Sequence, residues 1–106
     1  MVQKKRGITM KTDFPEKYIT LGLKISYYRR KAGYTQEYLA DLIGKSVSFI
    51  GQVEGTGTVC GISLETLFKI AKVLNVPPAK LLEDDWPIIQ NIYSHPKSYF
   101  PIYSNP

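Results

Sequence analysis

The sequence contains one cysteine, Cys60, and one histidine, His95. A lone cysteine cannot form an internal disulfide bond, and one cysteine with one histidine cannot make a zinc site without carboxylates. No apolar run approaches the roughly 18 residues that a membrane-spanning helix needs. We therefore expect a soluble chain with no metal ion and no membrane partner, and a fold whose stability comes from side-chain packing.

The signatures of cofactor binding and catalysis are also missing. Gly55, Gly57 and Gly61 do not have the spacing of a dinucleotide-binding loop, and they lack the Gly-Lys-Ser/Thr of a P-loop. No arrangement of nucleophile, base and orienting residue follows from the spacing of the polar residues. We expect no catalytic residue, no enzymatic activity, no cofactor and no small-molecule substrate.

The composition is that of one small folded domain, with 106 residues, 43% of them hydrophobic, and a formal net charge of +5. Five basic and two acidic residues fall in residues 1–18, eight basic and seven acidic in residues 19–86, and Lys97 is the only charged residue in 87–106. The near-neutral middle must therefore bind any polyanion through the placement of its charges. The first ten residues lack the apolar segment of a secretory signal, so we expect a cytoplasmic protein.

A stripe of apolar residues at helical spacing predicts a first helix, and it consists of Leu21, Ile25, Tyr28 and Ala32. Gly33 is the expected left-handed stop at its C-terminal end. Two starts are compatible with the stripe. Asp13 and Glu16 have the spacing of a capping box, and Thr20 is a later candidate cap.

Four further helices are predicted from caps, stop residues and apolar positions. The second runs from the cap Thr35 to Gly44, the third is Val47 to Glu54, the fourth runs from the cap Ser63 to Asn75, and the fifth is Ala79 to Glu83. Helices this short are marginal in water by themselves, so they must share one core. The sequence thus predicts an all-α domain.

The chain divides into three segments by composition: a basic arm in residues 1–18, a helical domain in residues 19–84, and a Pro-rich, aromatic arm in residues 85–106. Frequent proline disfavours a long helix in the last segment, while its aromatic residues favour an extended arm that packs against something. The candidate oligomer or partner contacts of this arm are Trp86, Tyr93, Tyr99, Phe100 and Tyr103.

The second and third predicted helices, joined by a very short turn, form a helix-turn-helix. The motif residues are Thr35-Gln36-Glu37-Tyr38-Leu39-Ala40, Ile43-Gly44, Ser46, Ser48-Phe49-Ile50, Gln52-Val53-Glu54, Ser63-Leu64-Glu65-Thr66-Leu67 and Ile70-Ala71. With these elements in this order, the sequence resembles the Cro/phage-repressor (XRE-like) helix-turn-helix family over residues 19–84. The resemblance implies a five-helix, lambda-repressor-like bundle that binds double-stranded operator DNA as a homodimer and needs no cofactor.

The resemblance also implies roles for individual residues. Ser46, Val47, Ser48 and Gln52 match the positions that face the bases, and their chemistry suits contacts in the major groove. Gln36 matches a glutamine that binds a DNA phosphate, where the helix dipole also favours an anion. Arg29 and Glu54 match a structural ion pair whose arginine also faces the phosphates. Charge alone makes Arg30 and Lys45 further candidates for phosphate contacts.

Several alternatives stay open at this point. Gln36, Arg30 and Lys45 are also compatible with plain solvated positions, and Ser46 with a capping role alone. Gly51, inside the third predicted helix, allows close approach of the second helix or of DNA, or has no role. The basic residues of the first arm, Lys4, Lys5 and Arg6, suit either a DNA backbone contact or a disordered terminus.

Two functions follow from this pattern. The first is a sequence-specific DNA-binding transcriptional regulator of bacterial or phage origin, with repression expected and a palindromic operator. The second is a protein-interaction module in which the helix-turn-helix body has little or no DNA affinity and the aromatic arm binds a partner, as an antitoxin would. The near-neutral charge of the body motivates the second.

Overall fold

Five α-helices follow one another along the chain: α1 (Pro15–Lys31), α2 (Gln36–Ile43), α3 (Val47–Glu54), α4 (Leu64–Leu74) and α5 (Pro78–Leu82). The structure is a computed structural model and describes residues 10–84, a range that contains no strand. The all-α prediction and the five-helix order are thus confirmed. No helix in this range is long and apolar enough to cross a lipid bilayer. The basic arm residues Lys4, Lys5 and Arg6 and the aromatic arm residues from Trp86 onward lie outside the described residues.

The N-caps of the three middle helices are those that the sequence predicts. Thr35, Ser46 and Ser63 each accept a hydrogen bond, at 3.0, 3.0 and 3.1 Å, from the backbone N–H three residues later. Each bond satisfies one of the N–H groups that a helix start leaves without a partner. These local bonds place the beginnings of α2, α3 and α4 where the sequence puts them.

The two outer helices differ in detail from the prediction. α1 begins at Pro15, inside the segment assigned to the basic arm, and neither Asp13 nor Thr20 caps it. Its N-cap residue is Phe14, whose backbone N–H donates to Thr12 Oγ1 at 3.0 Å. Proline suits the first helical position because its missing N–H would have no partner there. α5 begins at Pro78 and ends at Leu82, one residue earlier at each end than predicted.

One apolar core joins all five helices. Its buried members are Leu21, Ile25, Leu39, Ala40, Ile43, Ile50, Val53, Leu67, Ile70, Ala71, Leu74 and Leu81. Ala32, predicted on the apolar stripe of α1, is instead the exposed C-cap residue. Cys60 packs against the core, and burial raises the pKa of its thiol. The thiol therefore stays protonated at neutral pH, as suits a packing residue.

α1 and α3 come into close contact at Gly22 in α1. A Cβ atom built on Gly22 would collide with the backbone carbonyl of Val53 in α3. Gly51 in α3 differs, since a Cβ there would have no atom within 4 Å outside its own helix backbone. The hypothesis that Gly51 lets α2 approach closely is therefore wrong, and the close contact belongs to Gly22.

We expect alanine at these two helical glycines to have opposite effects. Gly51→Ala should raise the free energy of unfolding by roughly 0.5–1 kcal/mol, because alanine favours the helix and enters open space. Gly22→Ala should lower it by about 1–3 kcal/mol despite the same helix preference, because α3 must move. Urea unfolding followed by circular dichroism measures both. Equal stabilisation by the two changes would contradict the packing described for Gly22.

Candidate nucleic-acid interface

A three-residue turn joins α2 to α3 and fixes the angle between them. Gly44 ends α2 with a φ of +73°, a left-handed conformation that glycine adopts without strain. The backbone N–H of Lys45 donates to the carbonyl of Ala40 at 2.9 Å, and Ser46 then caps α3. Directly after this turn, the N-terminal half of α3 is exposed at Val47 and Ser48.

The outward surface of α3 consists of two rows of uncharged residues. Val47 and Gly51 form one row and Ser48 and Gln52 the other, since residues four apart share a helix face. Val47 is 43% exposed, Ser48 is exposed, and Gln52 is half-buried. Within residues 10–84 the side-chain amide of Gln52 makes no hydrogen bond. The surface therefore offers hydroxyl, amide and methyl groups without a charge.

From the sequence, Ser46 is compatible with a base-facing role or with helix capping alone, and its geometry in the structure allows both roles. Its Oγ accepts from the N–H of Phe49, so the capping role is filled. A serine hydroxyl also carries a proton to donate, and the residue is exposed. Capping thus leaves the hydroxyl able to donate to a neighbouring base or phosphate.

A buried ion pair holds the other end of α3. The guanidinium of Arg29 in α1 donates to both carboxylate oxygens of Glu54, from Nε at 2.7 Å and from Nη2 at 2.9 Å. Its Nη1 donates to the backbone carbonyl of Tyr34 at 2.8 Å. The two side chains are 2% and 5% exposed. The pair therefore connects α1, the turn after it and the last residue of α3 by charge-assisted hydrogen bonds.

Gln36 joins the same network from the start of α2. Its Nε2 donates to Glu54 Oε1 at 3.0 Å. The amide carries a second N–H, and Gln36 is half-buried at the N-terminal end of the helix. Its position is thus set by the carboxylate that also binds Arg29, while the helix N-terminus beside it still favours an anion.

The basic candidates differ in how they can reach a phosphate. Arg29 is buried and occupied by protein acceptors, a geometry that favours its structural role over the predicted phosphate contact. Arg30 is half-buried and lies 100° from Arg29 around α1. Lys45 is exposed directly before α3, with its Nζ 5.3 Å from the centre of the Phe49 ring. Lys45 is therefore the cation best placed beside the outward face of α3.

Sequence reasoning missed three features of this interface: the bond from Gln36 to Glu54, the carbonyl of Tyr34 as an acceptor for Arg29, and the contact at Gly22. The first two join residues on different elements, which spacing along the chain does not reveal. A signal for the third was present, since a glycine inside a predicted helix lowers its stability and calls for a packing reason.

The comparisons with known proteins agree with this geometry. A family model described as helix-turn-helix matches residues 25–54, from the middle of α1 to the end of α3. The restriction-modification controller protein C.AhdI from Aeromonas hydrophila has a similar crystal structure, with 30% sequence identity and a TM-score of 0.57. That alignment covers 62% of this chain and 97% of C.AhdI. The chain belongs to the Cro/phage-repressor (XRE-like) helix-turn-helix family.

A second structure shows the same fold at lower identity. The SinR protein/SinI protein complex aligns with a TM-score of 0.54 and 23% identity, over 80% of this chain and 91% of the matched chain. No curated protein sequence matches the chain. As a member of the XRE-like family, the protein is a DNA-binding transcription regulator and not an enzyme.

The Arg29–Glu54 pair leads to a stability prediction. Glu54→Ala should lower the free energy of unfolding by about 3–5 kcal/mol, because it leaves a buried guanidinium without its counter-charge. The matched control is Glu83→Ala, which removes an exposed ion pair between Glu83 Oε1 and Lys80 Nζ, 3.5 Å apart. It should lower the free energy of unfolding by at most about 1 kcal/mol. Chemical denaturation of both variants at one pH checks this. Similar small losses in both would show that the Arg29–Glu54 pair does not hold α3.

Proposed function

We propose that this XRE-like regulator binds a palindromic operator as a homodimer and represses transcription, with α3 in the major groove. The uncharged, accessible outward face of α3 is the observation that carries the proposal. A helix fits the major groove, where hydrogen-bond donors, acceptors and methyl groups distinguish the four base pairs. We place this activity in the cytoplasm of a bacterium, with a chromosomal or phage-borne gene.

The proposed base contacts divide by chemistry. Gln52 can donate to and accept from an adenine, Ser46 and Ser48 can bind several bases, and Val47 can touch a thymine methyl. Gly51 lies between Val47 and Gln52 on the outward side and carries no side chain, which lets the helix axis come closer to the bases. These groups are held at both ends of α3, by the turn at Gly44 and by Glu54.

The proposed phosphate contacts lie around the same surface. Lys45 supplies an exposed positive charge, and the N-terminal end of α2 supplies backbone N–H groups and the side chain of Gln36. Arg30 is a further candidate at the C-terminal end of α1, and Arg29 contributes by holding the framework. α3 itself contains no basic residue, so we expect a modest sequence-independent affinity.

The homodimer has a candidate interface between α1, α4 and α5. Phe14, Leu64, Phe68 and Leu82 are 63%, 67%, 51% and 60% exposed. Phe14, Leu64 and Leu82 also line an apolar cleft of about 330 Å³ between α1, α4 and α5. An apolar patch of this kind is typical of a protein interface. A homodimer of this family type would read half-sites about 34 Å apart, one turn of DNA.

Selection of bound sequences from a random duplex pool tests operator binding. The wild-type protein should enrich an inverted repeat. Gln52→Ala should relax the preference at one base position, where the lost contact is worth about 1–3 kcal/mol. Gln36→Ala removes a glutamine side chain at the N-terminal end of α2, the proposed phosphate contact, and should weaken binding to all sequences equally. Wild-type preference and affinity in both variants would contradict the proposed surface.

The pool should be selected at two salt concentrations, because each neutralised phosphate contributes about 0.9 to the slope of log affinity against log salt. An enriched repeat with a shallow slope supports specific operator binding through few cations. Absence of enrichment, with weak binding even at low salt, would favour the protein-interaction module instead.

Sedimentation equilibrium tests the dimer. Leu64→Glu should convert the dimer to a monomer, because it places a charge in the apolar patch. Leu42→Glu is the matched control, a leucine 41% exposed on α2, and should leave the mass unchanged. A wild-type monomer at the concentration needed for DNA binding, or a dimer that survives Leu64→Glu, would contradict this interface.

A further inference from the structure

The carboxylate of Glu54 accepts one hydrogen bond more than its ion pair with Arg29 requires. Arg29 reaches both oxygens, from Nε at 2.7 Å and from Nη2 at 2.9 Å, and its charge neutralises the carboxylate. Oε1 accepts a third bond, at 3.0 Å, from the side-chain Nε2 of Gln36. Because Gln36 is the first residue of α2 and Glu54 the last of α3, the third bond connects the proposed phosphate contact to the proposed base-reading helix.

This third bond determines which way the Gln36 amide faces. A glutamine side chain ends in a carbonyl oxygen, which accepts hydrogen bonds, and an NH2 group, which donates two of them. A carboxylate only accepts, so the NH2 group of Gln36 must face Glu54. The reverse orientation would place the amide oxygen against a carboxylate oxygen. One N–H group of Gln36 is therefore used by Glu54, and the second is directed away from it.

The second N–H group of Gln36 has no acceptor in residues 10–84. The bond to Glu54 is the only one that the Gln36 side chain makes in this part of the chain. Side-chain N–H groups of glutamine are among the donors that bind DNA phosphate oxygens. The carboxylate of Glu54 does not oppose a phosphate there, because two bonds from Arg29 neutralise it. The second N–H group therefore remains able to donate to a phosphate.

The bond to Glu54 also reduces the entropy cost of a phosphate contact. A glutamine side chain without a partner has several rotatable bonds, and binding a phosphate must restrict them. In this structure the bond to Glu54 restricts them before DNA is present. Phosphate contacts set the register of a protein on the duplex. Since Gln36 and α3 are joined through Glu54, a phosphate bound by Gln36 would also set where α3 lies in the groove.

We propose that Glu54 is a positioning residue for DNA binding, in addition to its part in the ion pair. It orients the Gln36 amide so that the second N–H group donates to a backbone phosphate, and it links that phosphate contact to α3. Glu54 acts through Gln36 and does not touch DNA itself. The inference rests on the proposed operator binding and adds to it the group that prepares the phosphate contact.

NMR of the wild-type chain tests the orientation, because the two side-chain N–H protons of a glutamine give separate signals. Gln36→Ala identifies the Gln36 pair by its disappearance. In the free protein, one proton of the pair should lie downfield and exchange with water many-fold more slowly than the side-chain protons of Gln52. The amide of Gln52 is the internal control, since it makes no hydrogen bond in residues 10–84. Added operator duplex should shift the second Gln36 proton and leave the bonded one in place.

Three results of this titration would overturn the proposal while operator binding stands. The first is a Gln36 pair that resembles that of Gln52 in the free protein. The second is a bound duplex that leaves both Gln36 protons unshifted, and the third is loss of the bonded signal when DNA binds. A protein that binds no duplex, with no shift in any residue of α3, would contradict the proposed function and this inference with it.

A double-mutant cycle on operator affinity separates positioning from a purely structural role. Glu54→Gln removes a negative charge, which by itself favours binding to DNA. We nevertheless expect a several-fold loss of affinity, because an amide at position 54 no longer selects one orientation of the Gln36 amide. Glu83→Gln, the control for charge, should cause no loss.

In the Gln36→Ala background, Glu54→Gln should have little further effect on operator affinity. An equal loss in both backgrounds would overturn the proposal, since Glu54 would then act only by holding α3. Circular dichroism checks that each variant is folded. If Glu54→Gln does not fold, the titration of the wild-type chain decides.

Discussion

The buried ion pair between Arg29 and Glu54 is the interaction on which the position of α3 depends. α2 and α3 have eight residues each and could not persist alone in water. Glu54 is the last residue of α3, and its carboxylate collects bonds from α1 through Arg29 and from α2 through Gln36. Since Arg29 also binds the Tyr34 carbonyl, one buried site sets three helices relative to one another.

A second constraint acts one residue away from Glu54. The carbonyl of Val53 lies against Gly22, so α1 and α3 approach more closely than any side chain would allow. At the opposite end, the left-handed Gly44 and the Ser46 cap fix where α3 starts. Contacts therefore hold both ends of α3, and the outward residues in its middle are not part of the core. Because the outward residues do not stabilise the core, small and polar residues such as Gly51 and Ser48 can occupy this face with little effect on the free energy of folding.

What could be predicted from the sequence was mainly local. Thr35, Ser46 and Ser63 cap helices through bonds that span three residues, so spacing alone identifies them. The family motif then pointed to Arg29 and Glu54 as a pair. The Gln36 bond joins distant parts of the chain, which no local pattern encodes. The glycine inside the α1 pattern signals a packing contact but does not identify Val53 as its partner. Ala32 shows the same limit, because an apolar residue at helical spacing is exposed where the helix has ended.

The placement of charge explains how a nearly neutral body could still recognise DNA. Glu54 is the only charged residue of α3, and it is buried and neutralised by Arg29, so the outward face carries no charge that repels phosphate. In the proposed complex, attraction for phosphate would come from Lys45, exposed directly before α3, and from the N-terminal end of α2. Affinity would then depend more on base contacts than on bulk charge, and wrong sequences, which offer only the few phosphate contacts, would be held weakly. A small regulator with few phosphate contacts would distinguish its operator from other sequences mainly through its base contacts, because its sequence-independent affinity is low.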